Sequence, residues 1–175
     1  MTKQSFNIKE LTYIALGVAA IIAGGFIIFQ VSMIFPFPGV KYIMMAPYLS
    51  MMFMVIQWKI NRRFVLLKAG TVFGLIMLLF NLYMGMAIIV TAILAQSTSQ
   101  LFPFKNRYFW ASSLFSGYTG LSTLLISKYF IGGIYLKINM TWILVCGLIC
   151  LLFGMAGAYY AKKIIVYIKR PSLET

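Results

Sequence analysis

Residues 64–102 read FVLLKAGTVFGLIMLLFNLYMGMAIIVTAILAQSTSQLF, and this apolar stretch decides how many times the chain would cross a bilayer. As one helix it would extend about 58 Å, roughly twice the thickness of a ~30 Å hydrocarbon core. Two helices joined by a tight turn near Asn81 fit a bilayer better. We therefore expect separate membrane spans at about 64–80 and 82–102.

The rest of the chain continues this pattern of long apolar stretches. Of its 175 residues, 62% are hydrophobic, and the mean hydropathy is +0.95, whereas globular domains contain roughly half apolar residues. We expect one domain over residues 1–175, an all-α integral membrane protein built as a six-transmembrane-helix bundle. The remaining spans are predicted at about 11–34, 42–58, 109–127 and 139–161.

The distribution of the 15 Lys and Arg residues favours six spans over five. Threaded as six spans, the chain carries 12 of them on one side and 3 on the other, against 8 and 7 if 64–102 were a single span. Because basic residues favour cytoplasmic loops, we expect both termini to be cytoplasmic. The basic side would hold Lys3, Lys9, Lys59, Arg62, Arg63, Lys68, Lys105, Arg107, Lys162, Lys163, Lys169 and Arg170.

The chain is poor in the residue types that catalytic and metal sites use. It has no His and only two acidic residues, Glu10 and Glu174, both near the ends. Proton relays, acid–base pairs and metal clusters depend on such side chains, so we expect no enzyme, no metal site and no cofactor. The basic residues that give the net charge of +13 flank the apolar spans. This placement favours contact with lipid headgroups over nucleic-acid binding.

Three cations on the opposite side, Lys41, Lys128 and Lys137, are the best indication of a binding function. Aromatic and amide side chains accompany them, and no acidic residue is present there to neutralise them. Such a set suits an anionic ligand with a flat ring. The alternative is an interfacial belt of aromatics and snorkelling lysines, with Asn81 capping its turn. The candidate substrate-binding residues are Gln30, Lys41, Tyr42, Asn81, Tyr83, Lys128, Tyr135, Lys137, Asn139 and Trp142.

Small residues recur at every fourth position of the first span, at Ala15, Ala19 and Ala23. Residues four apart share a helix face, and small side chains there let another helix approach closely. The stripe indicates either a docking face for a partner or packing within the same bundle. A polar run at Gln96–Gln100 leaves a similar choice open, between a partner contact and a simple helix end.

Three stretches together resemble the substrate-binding S-components of energy-coupling factor (ECF) transporters. The segment 9–20, KELTYIALGVAA, is similar to the start of their first helix, with a basic residue and an A-x-x-x-A spacing. FPFPG at 35–39 resembles their Pro-containing first outer loop, and GMAGAYYAKK at 154–163 resembles their small-residue-rich last helix with its basic exit. Chain length and span number agree with that family.

The resemblance implies a transport subunit of the cell membrane, multi-pass in the bacterial plasma membrane. S-components capture a vitamin or similar small-molecule micronutrient in an outward-facing pocket. They then dock through the A-x-x-x-A face on a transmembrane coupling protein driven by two ATP-binding subunits, which assigns docking to Ala15 and Ala19, with Ala23 on the same stripe. This chain has no Walker A sequence, so ATP hydrolysis would belong to the partners. The rival interpretations are a small membrane scaffold or assembly subunit without ligand, and a self-sufficient small carrier.

Overall fold

A computed structural model describes residues 8–35, 37–103 and 106–169, except the side chains of Ile134 and Lys169. Within these ranges the chain is helical, with no strand. Among the basic residues assigned above to one side, Lys3, Lys105 and Arg170 lie outside the described residues, as do Pro36 of the outer loop and the acidic Glu174.

Six α-helices follow one another along the described chain, as expected. The predicted break near Asn81 is confirmed: one helix ends at Leu78 and the next begins at Leu82, where Asn81 Oδ1 accepts a hydrogen bond of 3.2 Å from the Met84 amide. A π-helical turn, Ser127–Ile131, and a 3-10 helix, Gly133–Lys137, connect the last two. The helices are α1 Ile8–Ser32, α2 Val40–Ile60, α3 Val65–Leu78, α4 Leu82–Ser99, α5 Arg107–Ile126 and α6 Met140–Lys169.

Four of the helices in the described residues are long and apolar enough to cross a membrane, namely α1, α2, α4 and α6. Helix α3 is apolar but has 14 residues, about 21 Å of helix and less than a ~30 Å core requires. Helix α5 has 20 residues, but its many Ser and Thr residues lower its hydropathy. By length and composition, the chain therefore has the character of a membrane protein.

The helices form a ring in which α1 packs on α2, α2 on α6, α6 on α5, α5 on α4 and α4 on α3. Helix α2 also contacts α5 and α3 across the middle, and α1 meets α3 to close the ring. The largest buried cluster lies between these elements and is centred on Phe53 and Phe115, whose ring centroids are 4.3 Å apart. Small residues permit the closest crossing: a Cβ added at Gly157 of α6 would collide with the Pro47 carbonyl of α2.

Helix α5 has no exposed residue despite its polar composition. Its hydroxyls are buried and hydrogen-bonded: Ser116 Oγ donates to the Ala46 carbonyl over 2.8 Å, and Ser112 Oγ donates to the Tyr108 carbonyl over 2.8 Å. Gln57 Nε2 from α2 in turn donates to Ser112 Oγ over 2.9 Å. Since a buried hydroxyl costs little once it is hydrogen-bonded, the serines of α5 are compatible with the interior of an apolar bundle.

Candidate functional site

The up-and-down order of the helices separates the described cations between the two ends of the bundle. The starts of α3 and α5 and the ends of α2 and α4 meet at one end, where Arg62, Arg63 and Arg107 border a common cavity. We call this the basic end. The other end, which we call the Lys41 end, brings together the starts of α2 and α4 with the segment between α5 and α6.

The Lys41 end contains a cavity of ≈ 280 Å³ beneath the α1–α2 loop. Aromatic side chains form much of its wall, from Phe29 at the end of α1 through Phe35 and Phe37 of the loop to Tyr135 of the 3-10 helix. Lys41 is the cation among its described lining residues, and no acidic residue lines it there. Aromatic walls around one positive charge are the arrangement expected for a flat, negatively charged ligand.

Lys41 is half-buried and is held among aromatic groups. Its Nζ lies 5.0 Å from the Tyr42 ring centroid and 5.9 Å from that of Phe29. The Tyr42 and Tyr135 side chains both interact with the ammonium group. Cation–π contacts position the ammonium without neutralising it, so Lys41 keeps its charge available to a ligand in the cavity.

A second, smaller cavity of ≈ 70 Å³ adjoins the first, because Lys41 and Tyr135 line both. It contains three more of the predicted binding residues, Tyr42, Asn81 and Tyr83. Asn81 also caps α4, as described above, and its role in ligand binding stays a prediction. The Tyr83 ring packs 5.8 Å from that of Phe130, measured between centroids. Together the two cavities lie just above the lower limit of about 300–1,000 Å³ for small-molecule sites.

An apolar cleft of ≈ 270 Å³ continues from these cavities between α1, α2, α3 and α4. Phe29 lines the cleft and the larger cavity, and Met84 lines the cleft and the smaller one. Met45 and Met77 form much of the remaining wall. Thioether and aromatic side chains make adaptable apolar contacts, so the cleft has an adaptable apolar lining next to the cavity that Lys41 lines.

The other predicted binding residues lie outside these two cavities. Lys128 Nζ donates to the Ile138 carbonyl over 2.8 Å and thereby ties the π-helical turn to the residue that follows the 3-10 helix. Trp142 Nε1 donates to the Pro38 carbonyl over 3.1 Å and fastens the α1–α2 loop to α6. Gln30, Lys137 and Asn139 are exposed and line neither cavity. The three lysines of the Lys41 end therefore do not converge on one cavity.

Sequence reasoning missed the aromatic wall contributed by the α1–α2 loop. Phe29, Phe35 and Phe37 line the larger cavity together with Ser32 and Gly39. Gly39 has φ of 102°, a backbone conformation that glycine adopts without steric cost, and it turns the loop into α2. From sequence, the FPFPG stretch predicts a loop but not a cavity wall. Aromatic residues near a predicted membrane surface are equally typical of an interfacial belt.

The small-residue stripe of α1 points away from the bundle. Ala15, Ala19 and Ala23 are exposed, whereas Ile14 and Val18, on the face of α1 that packs on the bundle, are 2% and 0% exposed. The alternative in which the stripe packs inside the same bundle therefore does not describe this structure. Three small side chains in a row leave a shallow, apolar strip on the outer surface of α1.

Within the described residues, no group of three or more Cys, Asp or Glu side chains is placed to hold a metal ion. Cys146 and Cys150 are buried thiols in the packing between α5 and α6. The chain matches no protein-family model, no curated protein and no solved structure.

Proposed function

We propose that this chain is the substrate-capture subunit of an ECF-type importer in the bacterial plasma membrane. It binds a small anionic, ring-bearing vitamin or cofactor-like compound at the Lys41 end. It passes that compound inward through a transmembrane coupling protein and two ATP-binding subunits. The observation that carries the proposal is the cavity pair at the Lys41 end, where one cation stands among aromatic walls that continue into an apolar cleft.

Charge and shape together support an anionic, partly apolar ligand. Lys41 supplies a directed positive charge, and Phe35, Phe37 and Tyr135 supply faces on which a ring can stack. The cleft beyond Phe29 accepts an uncharged extension. A cationic ligand would meet Lys41 without a carboxylate to offset it, which disfavours compounds such as thiamine.

The exposed stripe on α1 supports docking on a partner. Association of membrane helices depends on close backbone approach and not on a hydrophobic drive. Ala15, Ala19 and Ala23 offer such an approach along one outward face. The scarcity of acidic residues and the lack of a nucleotide-binding motif fit a subunit that holds cargo while partners supply the energy.

In this proposal all six helices lie in the membrane, with the basic end and both termini in the cytoplasm. The short α3 would reach across with the residues of its flanking turns, and α5 would be shielded from lipid by its neighbours. The concentration of arginines at the basic end supports that orientation, because basic residues favour the cytoplasmic side.

Mass spectrometry of small molecules that stay bound during purification tests the proposed function. We expect a stoichiometric acidic compound with a ring, and copurification of a coupling protein with two ATPases from the native host. A chain that retains no metabolite and assembles with other membrane proteins would instead support the scaffold alternative. Solute uptake by liposomes containing this chain alone would support the self-sufficient carrier.

A further inference from the structure

A cavity of ≈ 190 Å³ lies at the basic end, on the opposite side of the bundle from Lys41. It is bordered by the end of α2, the α2–α3 turn, the end of α4 and the start of α5. Its inner wall is polar and deeply buried: Gln57, Gln96 and Ser99 are 3%, 5% and 0% exposed. Two residues of the polar run at the end of α4, Gln96 and Ser99, thus line a cavity.

Three guanidinium-bearing side chains, those of Arg62, Arg63 and Arg107, line the same cavity. Arg62 Nε lies 2.8 Å from Glu10 Oε1, an ion pair that ties the α2–α3 turn to α1. No acidic residue lines the cavity among the described residues. Two helix starts and two helix ends surround the cavity, so the helix dipoles largely cancel there. The sign of the electrostatic potential inside the cavity is therefore set by the arginines and is positive.

The turn that places these arginines is held in an unusual backbone conformation. Asn61 and Phe64 have φ of 50° and 63°, in the left-handed region, which Asn tolerates but a bulky side chain such as Phe rarely adopts. Tyr108 of α5 donates from its hydroxyl to Asn61 Oδ1 over 2.9 Å and fixes the turn against α5. Both flanking residues, Asn61 and Phe64, also line the cavity. The fold thus keeps a strained turn closed around a cationic pocket.

We propose that this cavity binds a phosphate group. Planar guanidinium groups match phosphate oxygens through paired hydrogen bonds. Gln57 Nε2 already donates to the Phe53 carbonyl and Ser112 Oγ, and Ser99 Oγ to the Gln96 carbonyl, so the arginines supply the donors, with the Gln96 amide beside them. The phosphate belongs either to an anionic phospholipid headgroup or to a soluble phosphate, since basic pockets between membrane helices accept both chemistries. The site is separate from the Lys41 end and does not rest on the proposed function.

The test introduces a carboxylate inside the cavity without changing its shape. Gln96→Glu is nearly isosteric, and the neighbouring arginines offset its charge, so we expect a folded chain. Gln100→Glu is the matched control, because Gln100 lies one turn further on, is exposed, and gives the same change in net charge. Native mass spectrometry in detergent measures binding of phosphatidylglycerol against phosphatidylcholine of equal chain length, and calorimetry measures binding of inorganic phosphate.

We expect Gln96→Glu to weaken phosphate-group binding by about tenfold or more, while Gln100→Glu stays within about twofold of the wild type. Selective binding of phosphatidylglycerol alone identifies a lipid headgroup, and binding of inorganic phosphate identifies a soluble ligand. Equal loss in both variants, or no binding of either probe by the wild type, overturns the proposal.

A second pair of variants removes charge instead of adding it. Arg63→Gln combined with Arg107→Gln should lose the same binding. The control is Lys162→Gln combined with Lys163→Gln, which removes two exposed charges that do not line the cavity. If the arginine variant unfolds, the Gln96 and Gln100 comparison decides alone. A loss as large in the lysine variant would show general surface electrostatics and contradict a defined site.

Discussion

The Tyr48 hydroxyl of α2 donates a hydrogen bond of 2.6 Å to the Ala20 carbonyl of α1. The contact is possible because Gly24, one turn further along α1, has no side chain: a Cβ there would collide with the Tyr48 hydroxyl. Helix α1 packs chiefly on α2, so this pair is a main attachment of the helix that carries the exposed alanine stripe.

Gly24→Leu is therefore expected to loosen α1 more than Tyr48→Phe does. Tyr48→Phe removes one hydrogen bond, about 1 kcal/mol, whereas Gly24→Leu drives the whole Tyr48 ring out of its position, with an overpacking cost of about 1–3 kcal/mol. Thermal unfolding in detergent measures both. Ala23→Leu is the control, because Ala23 is exposed; a drop in stability there equal to that of Gly24→Leu would contradict the assigned contact.

The crossing of α2 and α6 leads to a second prediction. Gly157→Val should destabilise the bundle by about 1–3 kcal/mol or more, because the new side chain would meet the Pro47 backbone and not a flexible side chain. Ala156→Val serves as the control, since Ala156 is the preceding residue and is exposed. Thermal midpoints of the two variants should differ clearly; equal midpoints would show that α6 does not cross α2 at Gly157.

The helices of this chain could be predicted from its sequence because apolar length and basic flanks are local signals. The break at Asn81 followed from the length of 64–102 and the position of a single amide. By contrast, the buried position of α5 could not be predicted from its low hydropathy. Its serines are accommodated by partners such as the Ala46 carbonyl and Gln57, which are distant in sequence.

The candidate site could be predicted only in part. Two adjoining cavities are lined by five of the predicted binding residues, all of which the sequence placed near one end of the bundle. These are Lys41, Tyr42, Asn81, Tyr83 and Tyr135. The sequence does not show which lysines line the cavities, because this depends on the π-helical turn and the 3-10 helix between α5 and α6. Those elements bring Tyr135 over Lys41 and leave Lys128 bonded to a backbone carbonyl.

Bulky substitution on the α1 stripe tests partner docking. Ala19→Trp should reduce assembly with the proposed coupling protein and ATPases by about tenfold or more, because a large side chain prevents close helix approach. Ligand binding by the isolated subunit should be unchanged. Copurification yield and ligand affinity are the two measurements.

The control for this prediction is Leu16→Trp. Leu16 is 63% exposed on the same outer surface of α1, but a large side chain already stands there. If both variants assemble as the wild type does, the stripe is not the docking face. If both lose ligand as well as assembly, the effect is on folding.

Cysteine labelling tests the proposed orientation. A membrane-impermeant maleimide should label Leu136→Cys on intact cells, whereas Lys163→Cys should react only after permeabilisation. Both positions are exposed, and the native Cys146 and Cys150 are buried at 0% exposure, so background labelling should be low. Labelling of both introduced cysteines from the outside would contradict an orientation with the basic end in the cytoplasm.

Removal of the Lys41 charge tests the ligand-binding role of the cavity pair. Lys41→Gln should weaken binding of the copurified anionic compound by about 10- to 100-fold, the equivalent of a lost charge-assisted contact of about 1.5–3 kcal/mol. Lys137→Gln removes the same charge from the same end, at an exposed position that lines neither cavity, and should leave affinity within about twofold. Calorimetric titration of both variants separates a directed contact from general attraction. Equal losses would mean that the end attracts anions without a specific lysine, and unchanged affinity in Lys41→Gln would place the ligand elsewhere.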